Sequence, residues 1–130
     1  MNSYKILLVD DDPEIIQTLQ NRLVEEGYDV IVAVDGAEAV NKAKEVSPDI
    51  ILLDLLLPKL NGFEVLGQVR KHFTEKWIPV IIISAQTDLQ TMKKSYNLDA
   101  DHYLPKPCTI ENVLNGIRVM ISLIPIRVKS

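Results

Sequence analysis

The chain has 130 residues, 47% hydrophobic and 25% charged, which suits one soluble domain with one core and excludes fibrous or low-complexity classes. Its net charge of −4 argues against direct nucleic-acid binding, which usually needs a basic surface, and its single cysteine, Cys108, excludes an internal disulfide. No apolar run approaches the roughly 18 residues of a membrane span, and no basic start with an apolar core reads as a signal peptide, so a cytoplasmic protein away from membranes is expected.

In chain order, residues 5–9, KILLV, form a short apolar run that ends abruptly in Asp10, Asp11 and Asp12. Ile15, Leu19 and Leu23 then recur at helical spacing as far as Gly27, with Asp12 as N-cap and Pro13 at the first helical position. Residues 28–34, YDVIVAV, read as a second strand. Asp35 and Glu38 resemble a capping box, followed by a helical stripe of Ala39, Ala43 and Val46. Residues 49–53, DIILL, give a third strand ending in Asp54, and Phe63, Leu66, Val69 and Phe73 give a third helix. Residues 79–84, PVIIIS, are a fourth strand, and Leu89, Met92 and Tyr96 mark a weaker fourth helix. Residues 101–105, DHYLP, are a weaker fifth strand. Ile110, Val113, Leu114, Ile117, Ile121 and Ile124 line the core face of a fifth helix. A second set there, Gly116, Met120 and Leu123 with Val119 nearby, reads either as covered by the domain, with Arg118 and Arg127 solvating the rest, or as a partner surface.

Short continuous apolar runs are the mark of strands buried on both faces, as in a parallel sheet. Five strand–helix units in series predict a doubly wound α/β domain with helices on both faces. In such sheets, ligands bind beyond the carboxyl ends of the strands. The polar residues at those ends are few: Asp10 and Asp11 after the first strand, Asp54 after the third, Ser84 ending the fourth and Lys106 after the fifth. Each has an ordinary explanation as a cap or a solvated side chain; their concentration on one edge is what points to chemistry. Three converging carboxylates would repel one another unless a cation neutralised them, and oxygen-only ligands suit a hard ion such as Mg²⁺. Spacing alone leaves open which acids touch the metal. A carboxylate beside Mg²⁺, with a lysine and a hydroxyl facing it, is equipped to take a phosphoryl group as an acyl phosphate.

The motifs ILLVDDDPEI, PDIILLDLLLPKLNGFEVL, IPVIIISA and ADHYLPKP, in that order and spacing, resemble the receiver domain of two-component response regulators over nearly the whole chain. The resemblance implies a flavodoxin-like fold with a five-stranded parallel sheet of order 2-1-3-4-5 and five helices. It assigns residues 1–124 to the receiver domain and 125–130 to a C-terminal tail or the start of a linker. It implies that Asp54 accepts the phosphoryl group, with Lys106 and Ser84 assisting. Asp10, Asp11, Asp54 and the backbone carbonyl of Leu56 would hold Mg²⁺. Ser84 and Tyr103 would form the switch pair, Leu56 and Gln86 would tune phosphoryl lifetime, and the Lys106–Pro107 bond would be cis. The implied donor is a sensor histidine kinase, a histidine phosphotransfer protein or a small acyl phosphate. The implied output is contact with a downstream effector, or a homodimer, through the fourth helix, fifth strand and fifth helix. Asp99 stands where relatives usually carry glycine, and Cys108 where phenylalanine is common; Asp tolerates left-handed geometry, so the turn should survive. His102 reads as a solvated strand-end residue and His72 as helix surface.

Two other classes compete. A Mg²⁺-dependent phosphohydrolase with an aspartyl nucleophile would want a second acid two residues after Asp54, and that position is Leu56, which moves no proton. A phosphorylation-independent pseudo-receiver would be expected to lose an acid or the lysine, and none is lost. The reading is therefore a phosphorylation-controlled switch with no separate turnover substrate, and not an enzyme in that sense.

Overall fold

The computed structural model describes residues 3–128, with side chains described as far as Pro125. The elements are β1 (Lys5–Val9), α1 (Pro13–Glu25), β2 (Asp29–Ala33), α2 (Gly36–Val46), β3 (Ile50–Leu53), α3 (Gly62–His72), β4 (Val80–Ser84), α4 (Leu89–Asn97), β5 (His102–Pro105) and α5 (Ile110–Val128). The five strands form one parallel sheet in the order β2-β1-β3-β4-β5. Each strand lies within about one residue of its expected bounds.

Alternation along the strands splits the core into two layers. Leu7, Val9, Ile51, Leu53, Val80 and Ile82 face one side, where Ala39, Ala43, Val65, Leu66 and Val69 of α2 and α3 cover them. Ile6, Leu8, Ile50, Leu52, Ile81 and Ile83 face the other, under Leu19 and Leu23 of α1 and Val113, Leu114 and Ile117 of α5. Burial on both faces is why Ile6–Val9, β3 and β4 carry no polar residue until the strand ends.

The helix starts follow from short polar side chains that accept otherwise unpaired amides. Asp12, Asp35, Asn61 and Asp88 accept from Glu14, Glu38, Glu64 and Thr91. The expected capping box at Asp35 is altered on its return arm: Glu38 accepts from the Val34 amide rather than from the Asp35 amide.

Two helix faces differ from expectation. On α4, Leu89 and Tyr96 are 78% and 45% exposed, and the inward residues are Ser95 and the half-buried Met92. On α5, Gly116 and Met120 are buried within the domain, whereas Val119 is exposed. An alanine methyl at Gly116 would already touch Ile81 and His102. The domain therefore covers most of the second apolar set on α5, and Val119 is its outward member. Helix α5 passes residue 124 unbroken, with Pro125 inside it. The Arg127 side chain lies outside the described residues. Among those residues, no helix is long and apolar enough to cross a membrane.

Candidate functional site

The sheet order brings the acids together. Val9 of β1 pairs with Leu53 of β3, so the next residues, Asp10 and Asp54, emerge side by side at the carboxyl edge. Their amides extend the ladder, Asp10 N to the Ala33 carbonyl at 3.2 Å and Asp54 N to the Val9 carbonyl at 3.0 Å. Both side chains are buried, whereas Asp11 is exposed. Carboxylate oxygens of Asp10, Asp11 and Asp54 lie within 4.8 Å of one another. Asp12 stands apart as the cap of α1.

Lys106 arrives from the other side of the sheet. Its amide donates to the Ser84 carbonyl at 2.8 Å, continuing the β4–β5 pairing beyond Pro105, and the Lys106–Pro107 peptide is cis. From there Nζ donates to Asp10 Oδ2 at 2.9 Å and to Asp54 Oδ2 at 3.0 Å. The remaining oxygens are also held: Asp10 Oδ1 accepts from the Asp12 amide, and Asp54 Oδ1 accepts from the Leu56 amide at 3.2 Å.

Burial pushes the Asp54 carboxyl above the usual carboxylate range; Lys106 and the Leu56 amide pull it down, and burial prevails. For Lys106, burial pulls the other way from its bonds to Asp10 and Asp54, and those bonds prevail, so its pKa is raised. One ammonium thus faces three carboxylates. The donor set is all oxygen and carries excess negative charge, which fits a hard divalent cation that keeps waters and takes few carboxylates.

Ser84 is fully buried at the end of β4, and its Oγ accepts from the Gln86 amide at 3.3 Å. The Tyr103 ring is buried, and its hydroxyl donates to the Gln86 carbonyl. Ser84, Gln86 and Tyr103 therefore form one connected unit beside the acids. The Tyr103 ring is thus already turned inward in this conformation. Leu56 is half exposed next to Asp54. His102 is half buried against α5 rather than fully solvated, and His72 is exposed.

The β3–α3 loop closes tightly under Asp54. Gly62 N donates to the Leu55 carbonyl at 3.0 Å, and a Cβ on Gly62 would lie 2.5 Å from Leu55 Cα and 2.6 Å from the Asp54 carbonyl oxygen. Sequence reasoning identified the strand-end residues but not this packing, nor the approach of Gly36, whose amide donates to the Pro58 carbonyl of the same loop. The available signal was a glycine as the first residue of a helix whose cap was already supplied by Asp35.

The response regulator receiver domain sequence model matches residues 6–118. The chain is 38% identical over 117 residues to the DNA-binding dual master transcriptional regulator RpaA of Synechocystis, covering 90% of this chain and 48% of that one. It is equally similar, at 38% over 117 residues with the same coverage, to the alkaline phosphatase synthesis transcriptional regulatory protein PhoP of Bacillus subtilis. The chain spans about half the length of the curated relatives it matches. Among solved structures, the non-phosphorylated HemR receiver domain of Leptospira biflexa superposes with a TM-score of 0.86 at 32% identity, covering 93% of this chain and 96% of that one.

Proposed function

The chain belongs to the response regulator receiver domain family, and from that premise we propose that Asp54 is its phosphoacceptor and that Mg²⁺ is its cofactor. The observation that carries the reading is the convergence of Asp10, Asp11 and Asp54 at the carboxyl edge of the sheet, with Lys106 bonded to Asp10 and Asp54.

In the reaction, an Asp54 carboxylate oxygen attacks the phosphorus of a phosphohistidine on a sensor kinase or phosphotransfer protein. The P–N bond breaks, its electron pair leaves with the imidazole nitrogen, and an acyl phosphate forms. Asp10, Asp11, Asp54 and the Leu56 carbonyl would hold Mg²⁺, which would supply charge neutralisation for the transferring phosphoryl group. Lys106 moves from bridging two carboxylates to pairing with the new phosphoryl group, and Ser84 donates its hydroxyl to another phosphoryl oxygen. That pull would loosen the Ser84–Gln86 contact, and Tyr103, bonded to the same Gln86, would carry the change to β5.

We place the receiver domain at residues 1–124, with 125–130 as tail or linker start; the family match over 6–118 is consistent with this. The output surface is α4, β5 and α5. Exposed Leu89, Tyr96 and Val119 are its apolar members, for a downstream effector or a second copy of the chain. The domain has no separate turnover substrate, binds no nucleic acid itself and works in the cytoplasm. No observation favours the phosphohydrolase, since half-exposed Leu56 offers no proton two residues after Asp54.

The test is intact mass after incubation with acetyl phosphate or phosphoramidate. A single phosphoryl adduct should form with Mg²⁺ and vanish in excess chelator or in Asp54→Ala. An adduct that survives either treatment overturns the assignment.

A further inference from the structure

The β3–α3 loop carries the Leu56 amide, which donates to Asp54 Oδ1, and the Leu56 carbonyl assigned above to the ion. The position of this loop is fixed in part by a residue of a different helix. Gly36, the first residue of α2, donates its amide to the Pro58 carbonyl at 3.2 Å. Its Cα lies so close to the loop that a Cβ would fall 1.7 Å from the Leu60 carbonyl oxygen and 2.5 Å from Leu60 Cβ. The Pro58 carbonyl also accepts from the Leu60 amide at 2.8 Å, so one acceptor joins the loop's own turn to α2. Between them, Lys59 has a left-handed backbone, φ 69°, and its ammonium sits 3.6 Å from Asp35 Oδ2, while Asp35 Oδ1 caps α2.

Helix formation does not ask for glycine at this place. Asp35 already caps the helix, the Gly36 backbone is not left-handed, and glycine is a poor helix former. What the position requires is the missing side chain, because two backbones approach there. The exposed Lys59–Asp35 pair adds little by itself.

We propose that Gly36 is a positioning residue for the phosphoacceptor site. Through Pro58 and Leu60 it sets the β3–α3 loop so that Leu56 presents its amide to Asp54 and its carbonyl to the ion. This rests on the reading of Leu56 as a metal ligand. Binding linkage is reciprocal, so a clamp that strengthens ion binding is itself strengthened by the ion. Mg²⁺ should therefore protect an amide on α2, a helix that supplies none of the assigned ligands.

The experiment titrates Mg²⁺ into the unphosphorylated chain and into Asp11→Ala and Gly36→Ala, followed by amide NMR shifts. Amide hydrogen exchange of the wild type is measured with and without saturating Mg²⁺. Asp11→Ala should lose binding. Gly36→Ala should bind at least tenfold more weakly, and its labelling by acetyl phosphate should recover toward the wild-type rate as Mg²⁺ is raised. In the wild type, Mg²⁺ should slow exchange at Gly36 several-fold and leave Ala43, further along α2, unchanged. A wild type that does not bind Mg²⁺, or an Asp11→Ala that binds equally well, overturns the site reading and this inference with it. If the wild type binds but Gly36→Ala binds within twofold, or its labelling deficit ignores Mg²⁺, the inference fails and the site reading stands. Should Gly36→Ala not fold, the wild-type exchange decides, and an unprotected Gly36 amide overturns the proposal. A purely structural glycine would lower stability and leave ion affinity unchanged.

Discussion

At the amino ends of β4 and β5, Asp101 is met on every side. Oδ2 accepts from Arg70 at 2.7 Å and from the Val80 amide at 2.8 Å, and Oδ1 accepts from the Trp77 indole at 3.2 Å. Arg70 spends its other donors on the Asp99 and Ile78 carbonyls. At the carboxyl ends of the same sheet, three carboxylates cluster, only Asp10 and Asp54 of them pair with Lys106, and burial drives Asp54 toward its neutral form. Both ends hold charge out of water, but one matches it and the other leaves it in excess. A matched pair ties α3, β4 and the α4–β5 turn together. An unmatched cluster is held in place by the fold against its own repulsion, and it is relieved only by something that binds. This contrast separates a structural ion pair from a site without appeal to which residues are charged.

The largest effect expected from breaking the contrast is at the matched end. Asp101→Ala leaves the Arg70 guanidinium without its carboxylate and the Val80 amide and Trp77 indole without an acceptor. Removing one partner of a largely buried pair should cost about 3 kcal/mol, or roughly 10 °C in Tm for a chain of this size. Thermal unfolding in chelator checks it. A loss of under about 1 kcal/mol would place this network with ordinary surface ion pairs.

At the unmatched end the sign should reverse. Asp54→Asn keeps the shape and removes one buried charge from the excess, so in chelator Tm should rise by roughly 3 °C, the equivalent of about 1 kcal/mol. The pH dependence sharpens this. The folded pKa of Asp54 is raised, so the folded state holds its proton more tightly than the unfolded state does. Stability from this group is therefore greatest in acid and falls as pH rises from the unfolded value, about 3.9, through the folded one. Lowering pH from 7 toward 4 should narrow the gap between Asp54→Asn and wild type. A gap that widens on acidification would mean that Lys106 outweighs burial after all.

The same physics decides what could be read from the sequence. Strands buried on both faces must be continuously apolar, so KILLV, DIILL and VIIIS were legible as strands. Their abrupt polar ends located Asp10, Asp54 and Ser84 on one edge. Helix faces were legible where the stripe was long, as on α1. On α4, three apolar residues in nine left the face ambiguous, and Ser95 rather than Leu89 or Tyr96 turned inward. On α5, eleven of nineteen positions are apolar and they fall on more than one face, so periodicity could not show that Gly116 and Met120 pack inside. The Arg70–Asp101 pair spans 31 residues and the Gly36–Pro58 contact joins the start of α2 to the β3–α3 loop. Neither leaves a local pattern, because each exists only once the sheet is assembled.

The smallest stability effect should come from Leu56→Asn. Leu56 is 53% exposed, and it is its backbone amide that donates to Asp54. It contributes no charge to the excess, so Tm should change by no more than the equivalent of about 0.5 kcal/mol. Its effect should appear in kinetics. Hydrolysis of the acyl phosphate needs a water in line with the Asp54 oxygen–phosphorus bond, and a leucine beside Asp54 gives that water no hydrogen bond and shields the phosphorus. An amide there can orient the water, and a group of that kind contributes to a rate through positioning. Phosphorylation brings its own leaving group and does not need that water. Leu56→Asn should therefore speed autodephosphorylation more than it alters labelling by acetyl phosphate, both followed by intact mass at saturating Mg²⁺. A Gln86 side chain turned toward Asp54 would also offer the water a hydrogen bond, so Leu56→Asn combined with Gln86→Ala should separate the two contributions. Equal changes in both rates for Leu56→Asn would instead mean that the side chain shifts the Leu56 backbone. The unmatched end would then be as sensitive to packing as the matched one.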